Sequence, residues 1–153
     1  MTEARDTRHE TRPPDVGPAK LDAYRLSDDL ALEVFKVSRK LPSDLRWLQS
    51  QIVRAATSVP ANIAEGYGRS SRKEFLQFLS IARGSLAELE YFLHFLHRAA
   101  LISDESHQRL ADLRKRVGQT LFGLMKSVRS SLRSSDGTGS AIRESLEEYS
   151  FDE

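Results

Sequence analysis

The sequence predicts an all-α protein, an antiparallel up-and-down four-helix bundle, and three observations carry that prediction. Apolar residues recur at three- and four-residue steps from about residue 27 to residue 133, the period that gathers them on one face of a helix. Start signals and proline or glycine stops cut this stretch into four lengths joined by short connections, which favours antiparallel neighbours. The chain has 153 residues and no cysteine, so one domain must be held by core packing, without disulfides or thiolate metal sites.

The expected helices are about 27–41, 43–66, 71–99 and 103–133. The first takes Ser27 or Asp28 as its cap, carries Leu30, Val34, Val37 and Leu41 along one face, and ends before Pro42, since proline disfavours helical geometry in the preceding residue. The second starts near Ser43 and carries Leu45, Leu48, Ile52, Ala55, Val59 and Ile63. Pro60 falls inside that pattern, so a kink or a break is expected there. Gly66-Tyr67-Gly68 closes the helix.

Ser71-Arg72-Lys73-Glu74 opens the third helix as a capping box, in which each side chain can satisfy the other residue's backbone N–H. Phe75, Leu79, Ala82, Leu86, Leu89, Leu93 and Leu96 follow as a coiled-coil type of seam. Beside it runs a second apolar set, Phe78, Ile81, Phe92 and Phe95, which is either the margin of a wide seam or a candidate oligomer interface. Ser103-Asp104-Glu105 caps the fourth helix with an acidic first turn, suited to the helix dipole. Its face is Leu110, Leu113, Val117, Leu121, Leu124, Val128 and Ser131 or Leu132.

The domain plan is a disordered leader over 1–20, the bundle over 21–133, and a Ser/Gly linker with an acidic tail over 134–153. The leader opens directly into charge, and no stretch approaches the ~20 apolar residues that span a bilayer. A cytoplasmic location without a membrane partner is therefore expected. The net charge of +1 divides into −1 over residues 1–19, +7 over 20–135 and −5 over 136–153. A basic middle with an acidic tail points to anionic partners or to intramolecular screening.

The most distinctive stretch is Gln51 to Arg69, with Lys73-Glu74-Phe75 and the run Ile81 to Glu90 after it. Together these closely resemble the bacterial four-helix bundle protein family, the ribosomal RNA intervening-sequence proteins, over about residues 24–133. The resemblance implies a ring-like homopentamer, no enzymatic activity, and a largely undefined cellular role. The accessory protein of diversity-generating retroelements is a more distant likeness, and its binding of a reverse transcriptase and nucleic acid extends here only by analogy between folds.

Within that stretch Gln51, Arg54, Ser58, Asn62 and Glu65 line one polar ridge. Pro60, Gly66 and Arg69 shape the end of the helix, and Gly84, Ser85 and Glu88 lie on the next one. A structural network tying helix two to helix three is the preferred reading, with Gly84 and Ser85 letting a neighbouring backbone approach. A ligand site is the alternative.

Catalytic chemistry finds little support. Glu90 and His94 stand four apart with His97 three later, and the pair of Glu-x-x-His motifs that a helical di-iron site needs is missing, and no nucleophile is set beside a partnered histidine. No catalytic residue, metal or cofactor is expected. Two functions remain. One is a homo-oligomeric scaffold for an unidentified protein partner. The other is an RNA- or DNA-backbone-binding module using Arg69, Arg72 and Lys73 with Arg114, Lys115, Arg116, Lys126, Arg129 and Arg133. Of these, Arg116, Lys126, Arg129 and Arg133 recur with Arg109 at steps compatible with a solvent stripe.

Overall fold

The computed structural model describes residues 21–147, and side chains as far as Ser135. Four helices make up the described chain: α1 (Asp22–Ser38), α2 (Arg46–Tyr67), α3 (Arg72–Arg98) and α4 (Asp104–Glu147), with a single 3-10 turn at Ser43–Leu45 leading into α2. Each helix packs on the two next to it, α1 on α2, α2 on α3, α3 on α4 and α4 back on α1, and among the described residues no diagonal pair of backbones comes as close. This is the up-and-down square that short connections impose.

Every expected core residue of the first three seams is buried except Leu45 and Phe75, which lie against the core half-buried. In α4 the buried line is Leu110, Val117, Leu121, Met125 and Val128, with Leu113 and Leu124 at its margin. Met125 therefore takes the central place expected of Leu124. At α3 the cap forms through Ser71, whose Oγ accepts from the Glu74 N–H at 3.1 Å. The return half of the box differs: the Ser71 hydroxyl donates to Glu74 Oε2 at 3.1 Å. Ser103 caps α4 by accepting from the Ser106 N–H at 3.1 Å.

Two boundaries depart from the expectation, and the alternatives left open at Pro60 are narrowed. α1 starts at Asp22, and Ser27 is no cap: it is buried one turn inside, its hydroxyl donating to the Tyr24 carbonyl at 2.8 Å. Buried Ala23 and half-buried Tyr24 and Leu26 carry the apolar face back past it. α2 is one continuous helix through Pro60, so the chain does not break there. Pro60 is itself buried, and core packing on both sides holds the turn that lost an N–H. α4 continues to Glu147 through the residues expected to form a linker. Ser130, Ser131, Ser134 and Ser135 each turn a hydroxyl back onto the carbonyl four residues earlier, so these hydroxyls are satisfied within the helix rather than diverting its backbone. The expected leader over 1–20 and the last residues of the tail, 148–153, lie outside the described chain.

Candidate interaction surfaces

The polar ridge of α2 meets α3 along one line. Ser58 Oγ and Ser85 Oγ lie 2.9 Å apart, and Asn62 Nδ2 donates both to the Ser58 carbonyl at 2.8 Å and to Ser58 Oγ at 3.0 Å. One turn toward the N-terminus, Arg54 bridges Gln51 Oε1 at 3.0 Å and Glu88 Oε1 at 3.1 Å. The serine pair and Asn62 are half-buried, whereas Arg54 and Glu88 are well exposed. The buried part therefore fixes the register of the two helices, and the exposed ion pair adds little.

Below this line α3 comes close to α2 at Gly66. A Cβ placed there would sit 2.7 Å from Phe78 Cβ and 2.8 Å from Phe75 Cδ2, so only glycine allows this approach. Arg69 pairs with Glu65 at 2.6 Å and lays its guanidinium over the Phe78 ring at 4.9 Å. Phe78 is thus covered within the chain. Gly84 behaves otherwise than expected: it is exposed, and a Cβ there would meet nothing within 4 Å. In the α2–α3 contact the partner of Ser58 is Ser85, one position further along, and Gly84 points outward beside it.

The expected oligomer set divides accordingly. Ile81 stands 52% exposed in the middle of α3. Phe92 and Phe95 belong instead to a cleft at the far end of the bundle with Trp47, Leu48 and Tyr91, enclosing about 160 Å³. An adjoining cavity of about 360 Å³ shares Tyr91 and Phe95 and adds His94, Arg98 and Ala99. The sequence reading missed Trp47 and Tyr91, the most exposed aromatics of this cleft, and Leu32, Phe35 and Phe122, which are exposed on α1 and α4. Each sits a position or two off the apolar stripe of its helix, and that offset was the available signal.

The basic residues also separate. Arg114 is tied to Glu90 at 3.0 Å, Arg109 lies 3.9 Å from Glu33, and Arg69 is held as above. Arg72, Lys73, Lys115, Arg116, Lys126, Arg129 and Arg133 are exposed and form no ion pair among the described residues. Near the α3–α4 turn His97 and His107 stack at 4.1 Å with their planes 1° apart, and His97 Nε2 lies 2.6 Å from Asp104 Oδ1. Burial, then the neighbouring His97 and His94, push the His107 pKa down, with Asp104 opposing them. Among the described residues no group of three or more His, Cys, Asp or Glu is arranged to hold a metal.

The model of the 23S rRNA-intervening sequence protein family matches residues 19–123. The chain belongs to that family. Among solved structures, this intervening-sequence protein is similar to a protein of unknown function from the S23 ribosomal protein family of Bacteroides thetaiotaomicron VPI-5482, at 26% identity and a TM-score of 0.64. The likeness covers 68% of this chain and 98% of that one. No curated protein matches the intervening-sequence chain. The family match takes in the whole α2–α3 network and ends inside α4, before Lys126, Arg129 and Arg133. None of its described helices is long and apolar enough to cross a membrane.

Proposed function

We propose that this protein acts by association in the cytoplasm rather than by catalysis, as a self-associating helical bundle that presents its remaining surfaces to a protein partner. The placement of its exposed apolar residues carries the reading. Leu32 and Phe35 are each 41% exposed on α1, Phe35 with the Arg39 guanidinium 5.7 Å over its ring, while Ile81 is exposed on α3, the helix diagonal to it. Two unlike apolar patches on opposed helices suit head-to-tail association, which closes into a ring when the rotation permits. The homopentamer implied by family resemblance is one such ring. The polar line of α2 supports this reading from the other side, because its side chains are occupied in joining α2 to α3. Sedimentation velocity at micromolar concentration tests the proposal. A species several protomers in size is expected, and a monomer overturns it.

Nucleic-acid backbone binding is a second reading. It rests on the seven exposed cations without ion pairs among the described residues, five of them on α4: Lys115, Arg116, Lys126, Arg129 and Arg133. Helical spacing puts Lys115, Lys126, Arg129 and Arg133 on one side, and the expected stripe is corrected at Arg116, which falls about a quarter-turn away from Lys115. Repetition around an oligomer would multiply weak phosphate contacts. The family's name gives a ribosomal RNA as the first probe. Fluorescence anisotropy with a structured RNA should show binding that weakens steeply with salt, and Lys126→Glu with Arg129→Glu should abolish it. Salt-insensitive or absent binding removes this reading.

A further inference from the structure

We infer that the aromatic cleft between α2 and α3 is a docking site for the acidic, aromatic tail of a second copy of this chain. This goes beyond the bundle's proposed self-association, which uses other residues. The cleft is an unusual surface for a bundle. Trp47 is 62% and Tyr91 60% exposed, with Phe95 at 40% beside them, an aromatic group that water ordinarily penalises. The two adjoining cavities share the Tyr91 and Phe95 walls. The smaller is lined by apolar and aromatic side chains alone, and the larger adds Arg98 and His94, with no carboxylate in either lining. Arg98 makes no ion pair among the described residues. Such a site fits a peptide with two closely spaced aromatic anchors and negative charge around them.

The chain carries such a segment. Glu147-Glu148-Tyr149-Ser150-Phe151-Asp152-Glu153 has four carboxylates and two aromatics two positions apart. In an extended peptide, residues two apart face the same side at a spacing of roughly 7 Å, which suits neighbouring cavities with a common wall. Phe151 fills the apolar cavity, and Tyr149 enters the one whose Arg98 and His94 can meet a phenol hydroxyl. The flanking acids complement Arg98.

Reach assigns the tail to another copy. The cleft lies at the end of the bundle where α3 finishes and α4 begins, since Arg98 and Ala99 line it and α4 starts at Asp104. From there α4 runs 44 residues in the opposite direction, or roughly 65 Å at 1.5 Å per residue. The six residues after Glu147 extend at most ~20 Å, far short of the return. A second copy can bring its tail to the cleft without that constraint.

Trp47 is the only tryptophan of the chain, so its emission reports on the cleft directly. In the full-length protein, Trp47 should become blue-shifted and shielded from acrylamide as concentration rises. The Tyr149→Ser, Phe151→Ser double variant should lose that shielding at every concentration. A labelled synthetic peptide of residues 145–153 should then bind this variant in anisotropy and restore the shielding. Arg98→Glu should weaken peptide binding by about tenfold or more. Four outcomes overturn the inference. The peptide fails to bind, or it binds equally well to the Arg98→Glu protein. Trp47 is equally shielded with and without the tail aromatics, which would place a folded surface of another copy on the cleft. Or the shielding is independent of concentration, which would place the tail there within one chain. Sedimentation of the tail variant separates this inference from the proposed self-association, because a tail variant that still assembles leaves the latter intact.

Discussion

At the scale of single residues, the α2–α3 contact is set by what small side chains allow. Gly66→Ala puts a methyl group 2.7 Å from Phe78 Cβ, an atom close to the backbone that cannot swing aside. Overpacking of this kind typically costs about 1–3 kcal/mol, so thermal unfolding should show Tm lowered by several degrees. An unchanged Tm would mean that α3 slides freely, contrary to the Ser58–Ser85 hydrogen bond. His107 supplies a pH test. Its folded-state pKa lies below the ordinary 6.5, so the unfolded chain binds more protons than the folded one just under that value. Stability fully present above pH 6.5 should therefore fall as pH drops toward the lowered value, then level off. His107→Gln should flatten that part of a Tm-against-pH curve, and the effect should be small because the ring is partly open to solvent. Helical spacing made the ridge of Arg54, Ser58 and Asn62 legible in the sequence. It could not say whether Gly84 or Ser85 would face Ser58, because that depends on the relative rotation of two helices and no one-helix pattern encodes it.

At the scale of the element, ends were legible where a side chain makes the cap and obscure where packing does. Ser71 and Ser103 announce α3 and α4 because a hydroxyl before an acidic first turn has a local chemical purpose. α1 begins after Leu21, which offers no capping side chain, so its start follows from burial of Ala23 rather than from any local signal. The far end of α3 closes on a backbone motif. The Leu101 N–H donates to the Leu96 carbonyl at 2.9 Å and the Ala100 N–H to that of His97 at 3.0 Å, the two bonds of a Schellman cap. Its left-handed position is held by Ala100 at φ 56° rather than by glycine. The Cβ costs roughly 1 kcal/mol there, so Ala100→Gly should raise Tm by a few degrees, with the helix content by circular dichroism unchanged. A lower Tm would show that the turn gains more from the alanine's contacts than it loses to strain.

At the scale of the whole molecule, the fold was legible because one period runs through four segments and each buried seam has only its neighbours to pack against. Association was less legible, since a surplus apolar residue reads alike whether it is the margin of a core or the centre of an interface. Phe78 turned out to lie under Arg69, while Ile81 stands open. The placement of Ile81 on α3 and of Leu32 and Phe35 on the diagonal α1 leads to a prediction that separates head-to-tail from face-to-face assembly. In a head-to-tail contact the α3 patch of one copy meets the α1 patch of the next, so every copy uses both. In the Tyr149→Ser, Phe151→Ser background, which removes tail docking, Leu32→Glu disables one patch and Ile81→Glu the other, and each variant alone should sediment as a monomer. Mixed in equal amounts, they retain one intact patch of each kind. The intact α1 patch of Ile81→Glu can then join the intact α3 patch of Leu32→Glu, and growth stops there because the next contact is disabled on both sides. A heterodimer, absent from either sample alone, is the expected species. Face-to-face assembly through a single patch predicts otherwise: one variant would stay assembled by itself, and mixing would add nothing.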